Sequence, residues 1–296
     1  MDRWKRVRRI LLVVLALNLL VALLKGVYGY ITGSVSMMAD GLHSLFDAFS
    51  TVVALIGVLI ASKPPDLSHP YGHGKFETLG AMGIGILLLI ASFEIFYMSV
   101  ERMLGTHHVI VTGMSFGVMV FSMGVNLGVS MYEEKAGKEY SSDALLADAK
   151  HTRADFLVSL SVIVSLMAAK FGHPILDLIF GMGIAVLVAV SAIRTLVHSS
   201  ETLCDRERID PEDVRRITLS VDGVKECSNI RSRGRRDEVY MDMCVGVDGS
   251  MSVEEAHELA HRVENKIKKK FREVADVVVH IKPVSSEKGA DDENQS

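Results

Sequence analysis

Six predominantly apolar stretches of roughly 20 or more residues follow one another along the first two thirds of the chain, over 10–31, 35–62, 79–104, 109–131, 144–171 and 174–198. Each is long enough to cross a ~30 Å hydrocarbon core as a helix rising ~1.5 Å per residue. After Cys204 the pattern changes. Asp210 and Pro211 read as a cap and first helical position. Strand-like runs over 223–231 and 238–247 follow, joined by a basic, Gly-containing turn at 232–237. An amphipathic helix over 252–271 comes next, with Val253, Ala256, Ala260, Val263, Ile267 and Phe271 as its apolar stripe, then a Val-rich strand over 274–281.

These elements predict a six-helix transmembrane bundle over 1–204, then an α+β cytoplasmic domain of ferredoxin-like, metallochaperone-like type over 205–284. The polar, acidic tail over 285–296 reads as disordered. Glycines of the third span (Gly80, Gly83, Gly85) and the fourth (Gly113, Gly117, Gly124, Gly128) predict close helix packing in lipid.

Composition changes this picture little, since 49% hydrophobic residues and a net charge of −4 suit a soluble enzyme as well. Charge position is more informative. Lys and Arg crowd the N-terminus, the loops after the second and fourth spans, and the C-terminal part, whereas the turns near Thr32, Thr106 and Gly172 are poor in them. By the positive-inside rule both termini are cytoplasmic, in a cell (inner) membrane. A signal peptide is the alternative for the first span, but the stretch is long and five more follow it. Cys204, Cys227 and Cys244 lack CxxC spacing and face the reducing side, which predicts free thiols. No nucleic-acid partner is implied.

Two ionisable pairs stand inside the apolar spans, His43 with Asp47 and His151 with Asp155, each at i, i+4. That spacing puts both side chains on one helix face. Two such faces meeting supply two imidazoles and two carboxylates, a shell suited to a divalent metal such as Zn²⁺. A central charge costs at least ~2.5 kcal/mol on insertion scales, so four at helical spacing need a reason. Asp40 and Asp148, three residues before each histidine, are candidates to hold the imidazoles or to act as caps. Glu94 has no evident partner, and His107, His108, His173 and His198 read as interfacial.

The stretches ADGLHSLFD at 39–47, DAKHTRAD at 148–155 and DLSHPYGHGKFE at 66–77 together resemble the cation diffusion facilitators, six-helix divalent-metal exporters with a cytoplasmic C-terminal domain. The resemblance implies a transport site of His43, Asp47, His151 and Asp155, with histidine in both helices resembling the zinc-transporting branch. It implies a second, loop site at Asp66, His69 and His73, and a salt bridge of Lys75 with Asp205 that helps lock two protomers. In the C-terminal domain it implies interface metal ligands at Asp242, His257 and His280. Ser228 and Lys282 replace a histidine and an aspartate of some relatives, so one regulatory ion is expected rather than two. This reduced set resembles magnetosome-type iron transporters, which leaves Fe²⁺ open as a substrate beside Mn²⁺, Co²⁺ and Cd²⁺.

The expected activity is efflux of Zn²⁺ against protons by a homodimer with a metal-sensitive cytoplasmic domain. A membrane-anchored metal sensor is the second reading. A third follows from His257, Glu258 and His261, which match the HExxH pattern of zinc peptidases. A domain under ~90 residues leaves little room for a substrate cleft beside a core, which argues against it. His257 as an interface ligand with His261 as its solvated neighbour explains the same letters. The chain is therefore read as a transporter and not an enzyme.

Overall fold

A computed structural model describes residues 2–32, 35–103, 113–170 and 174–284. The chain divides into two compact units, Met1–Glu201 and Thr202–Ser296. The expected acidic tail lies outside the described residues.

The first unit is built from helices α1 (Asp2–Thr32), α2 (Val35–Ala61), α3 (Lys75–Met103), α4 (Gly113–Glu139), α5 (Asp143–Lys170) and α6 (Pro174–Leu203). Among the described residues, α1, α3 and α6 contain segments long and apolar enough to cross a membrane. The other three, at 27, 27 and 28 residues, are equally long enough. One apolar cluster joins Val7, Leu11 and Val14 of α1 to Ala54 and Val58 of α2, Ile84 of α3, Val129 of α4 and Leu145 of α5. A second joins Leu88 and Ile95 of α3 to Ala154 of α5 and to Ile184, Val188 and Ala192 of α6. The bundle is thus knit around α3 and α5, while large side chains such as Leu23, Phe93 and Leu187 face outward as lipid-exposed residues do.

The glycine expectation divides. Gly80 meets Gly57 of α2, where an added Cβ would lie 3.3 Å from the Gly57 Cα, and Gly85 abuts Leu196 of α6. On α4, Gly137 abuts Leu146 of α5, whereas a Cβ added at Gly117, Gly124 or Gly128 would meet nothing within 4 Å among the described residues. Which glycines lie against a neighbour is not revealed by spacing alone.

The second unit comprises α7 (Pro211–Leu219), β1 (Glu226–Arg235), β2 (Glu238–Asp248), α8 (Val253–Lys270) and β3 (Val274–Val284). The sheet order is β1-β2-β3, antiparallel between β1 and β2 and parallel between β2 and β3. Strand alternation sends Val239, Met241, Met243, Val245 and Val247 to one face, where they pack with Val214 of α7 and Leu259, Val263 and Ile267 of α8. Both helices therefore cover one face of the sheet. The other carries Tyr240, Asp242, Cys244, Val278 and His280.

Local chemistry explains the boundaries. Asp210 accepts from the Glu212 N–H and Pro211 opens α7, as the sequence suggests. At α8, Ser252 and Glu255 form a capping box in which each side chain bonds the other's backbone N–H. Ser252→Ala is expected to cost about 1 kcal/mol, read as a lowered unfolding midpoint of the cytoplasmic unit. Two expectations are corrected. The segment 232–237 is mostly strand, since Arg233, Gly234 and Arg235 pair with Tyr240, Val239 and Glu238 around a tight turn. Its charged letters suggest a solvated loop, but Arg235 is buried against Asp237 and Glu238. In α8 the stripe runs through Leu259, Val263 and Ile267, while Val253 is 88% exposed.

Candidate metal centres

The α5 half of the transport pair is set by the register of α2 against α5. Ser50 of α2 donates a 2.6 Å hydrogen bond to Asp148 of α5, and both side chains are fully or almost fully buried. Asp148 is thus neither a cap nor interfacial; it sits in the helix contact one turn below His151. His151 is 6% exposed and Asp155 half-buried. The side chains of His43, Asp47 and Asp40 lie outside the described residues, although positions 40, 43 and 47 belong to α2. His107, His108 and His173 lie outside them too. Glu94 is exposed on α3.

Around Asp148 runs a polar seam that the sequence pattern does not announce. Glu133 of α4 is fully buried, reaches Asp148, and accepts from Thr152, the residue after His151. Asn18 of α1 donates to Thr51, the neighbour of Ser50. Lys25 of α1, 4% exposed, donates to Ser44, which follows position 43 on α2. A lysine inside an apolar span is itself a signal for Lys25. Glu133 has none, because its "YEEK" context reads as a solvated helix end.

The loop site is fully described. Between α2 and α3, the Asp66 carboxylate accepts from the N–H groups of Ser68 (2.9 Å) and His69 (2.7 Å). It also stands 3.6 Å from His69 Nδ1 and 3.4 Å from His73 Nε2. One ligand atom from each of the three lies within 4.8 Å of the others, the sole such triad among the described residues. His73 is 7% exposed, and its Nδ1 has no hydrogen-bond partner among the described residues. Gly72 makes this turn at φ +85°, a conformation side chains disfavour. The His69 N–H foremost, then the other donors, holds the Asp66 carboxyl below its ordinary range. Its contribution to the turn is therefore present above the usual carboxylate range and is lost as pH falls below it. One carboxylate and two imidazoles suit a borderline divalent ion.

The C-terminal residues do not converge within one protomer. Asp242 and His280 share the open sheet face, where Asp242 pairs in register with Val278 and bonds Arg231 at 2.9 Å. His257 stands on α8, across the sheet's other face. A single ion held by all three in one chain is thus ruled out by strand alternation and the helix layer. His261, expected as a solvated neighbour, is exposed and points its Nε2 to within 3.2 Å of His257 Nε2. Asp205 lies 4.0 Å from Arg233. All three cysteines are free.

Residues 11–204 match the family profile described as the cation efflux transmembrane domain, and residues 207–284 match that of the cation efflux protein, cytoplasmic domain. An uncharacterized transporter of Methanocaldococcus jannaschii is 34% identical over 266 residues, covering 89% of this chain and 94% of its own. The manganese efflux system protein MneP of Bacillus subtilis is 26% identical, covering 95% of this chain and 97% of its own. The magnetosome protein MamB of Magnetospira is 27% identical, covering 88% and 89%.

Proposed function

Because the chain belongs to the cation efflux family, a family of multi-pass membrane transporters and not of enzymes, we propose that it exports Zn²⁺ in exchange for protons. The activity at the coarser level is divalent cation efflux, with the C-terminal unit on the cytoplasmic side. The membrane is taken to be the cell (inner) membrane.

The observation that carries the transport site is the Ser50 to Asp148 hydrogen bond. It makes positions 50 and 148 level on two helices that run in opposite directions, as an even and an odd span of an up-and-down bundle do. Moving outward from there, positions 47 and 151 are each three residues away, about 4.5 Å, and positions 43 and 155 are each seven away, about 10.5 Å. Seven residues return nearly to the same helix face, so 43 and 155 recur on the faces that hold Ser50 and Asp148 together. The positions are thereby matched in height, 43 with 155 and 47 with 151, and 43 with 155 in azimuth as well, which supports a site shared by His43, Asp47, His151 and Asp155. Four such ligands offer two nitrogens and two oxygens, a borderline set that favours Zn²⁺ over harder ions.

Proton exchange follows from ligand competition. An imidazole binds metal only when neutral, so protonation of His43 or His151 expels the ion and metal entry expels protons. Rocking of α2 and α5 against the other helices exposes the site to either side in turn. The loop triad of Asp66, His69 and His73 takes a second ion beside α3. The protein acts as a homodimer, and Asp242 and His280, on the open sheet face, meet their copies across the dimer to take a regulatory ion that biases the docked state.

Acid-loaded proteoliposomes placed in neutral buffer are expected to accumulate Zn²⁺, with uptake collapsing when a protonophore removes the proton gradient. Equal uptake with and without the gradient overturns the antiport reading. Running Mn²⁺, Fe²⁺, Co²⁺ and Cd²⁺ in parallel tests selectivity, and Mn²⁺ is the first rival because one relative is a manganese efflux protein. Fe²⁺ is the second.

A further inference from the structure

We propose that His257 and His261 form a metal site of their own on the outward face of α8, a two-imidazole clamp for a borderline divalent cation such as Zn²⁺, Ni²⁺ or Cu²⁺. It is separate from the transport site, the loop triad and the open sheet face, and so does not rest on the export reading.

The geometry is already that of a chelate. The two residues stand at i, i+4 on a helix whose other side is buried by Leu259, Val263 and Ile267. Their Nε2 atoms face each other at 3.2 Å, with the rings edge to face. Two nitrogens each ~2.0–2.1 Å from one ion stand about 3.3–3.4 Å apart in tetrahedral geometry and about 2.9 Å apart as octahedral neighbours. The observed separation falls between these, so an ion enters without moving either ring far.

The hydrogen-bond shell orients one of the rings for this role. Glu264 Oε2 lies 3.3 Å from His261 Nδ1, which makes Nδ1 the protonated nitrogen and leaves the Nε2 lone pair aimed at His257. The other Glu264 oxygen accepts from Lys268 at 2.6 Å, fixing the carboxylate in place. A carboxylate behind a ligating imidazole raises its basicity and locks its direction. Without an ion, only one of two facing Nε2 atoms can donate to the other.

This arrangement also accounts for the HExxH letters without hydrolysis. His257, Glu258 and His261 are all exposed on a convex helix surface, so nothing presses a substrate carbonyl against the ion. The clamp binds, with water completing its coordination.

The test uses the full-length chain in detergent micelles carrying Asp155→Ala, so that the transport site is disabled in every sample. Equilibrium dialysis against Zn²⁺ and Ni²⁺ would be read together with histidine side-chain NMR. The His261→Ala and His261→Gln variants are each expected to lose one bound ion per chain. Glu264→Gln is expected to weaken that ion's binding about 10- to 100-fold. Asp242→Ala should leave it in place. Isotherms of both His261 variants that superimpose on the parent's overturn the proposal, as does loss of the same ion in Asp242→Ala, which would place His257 at the dimer interface instead.

Discussion

Asp155→Ala is expected to reduce metal transport in proteoliposomes by roughly 100-fold or more while leaving a folded, dimer-competent protein. Loss of a residue that merely orients a ligand already costs 10- to 100-fold in affinity, and Asp155 is proposed to touch the ion itself. Removing it leaves two imidazoles and one carboxylate, and also lowers the negative charge that draws a dication into lipid. Folding should survive, because Asp155 is half-buried and the α2 to α5 register is held elsewhere, by Ser50 and Asp148. Asp155→Asn keeps the shape and removes the charge, and it should fall nearly as far. If both variants transport at the parent's rate, the four-residue site is wrong. The sensor reading makes a different demand, since it requires that the parent accumulate no metal at all.

The scale and order of the fold are legible in the sequence because apolar length and strand alternation are local signals. Six spans and an α-β-β-α-β unit follow from them directly. What stays hidden depends on which helix faces which. Glycine content looks the same in α3 and α4, yet Gly80 and Gly85 of α3 lie against neighbouring helices, whereas a Cβ added at Gly117, Gly124 or Gly128 of α4 would meet nothing within 4 Å among the described residues. Asp242, His257 and His280 read as ligands at a dimer interface, and what the letters do not show is that within one chain Asp242 and His280 emerge on one face of the sheet while α8 covers the other. His261 reads as solvated and is exposed, but that reading misses its contacts with the residues four before and three after it, although the spacing is itself a signal. The buried carboxylate of Glu133 is the least legible, since its partners stand on α5 rather than on its own helix.

The largest expected loss of stability comes from Glu77, at the start of α3. It is 1% exposed and accepts from Arg3 of α1 at 2.8 Å and from Ser142 at the head of α5. Arg3 in turn donates to the carbonyls of Tyr140 (2.7 Å) and Ser141 (3.0 Å), the turn between α4 and α5. One carboxylate therefore ties three helix ends together where the bundle meets the cytoplasm. Glu77→Ala removes the Glu77 charge from the partly buried Arg3 guanidinium, and breaking one side of a buried pair costs about 3–5 kcal/mol. Glu77→Gln keeps one acceptor and should cost less, whereas Arg3→Ala combined with Glu77→Ala should cost less than the sum of the two single changes, because each removes the same contact. The effect should reach transport as well, since Ser142 leads into α5 and His151 lies only about 12 Å along it. Thermal unfolding of the four proteins in detergent measures the coupling. Additive losses would mean that Arg3 and Glu77 act independently, and that the α4 to α5 turn is held by packing alone.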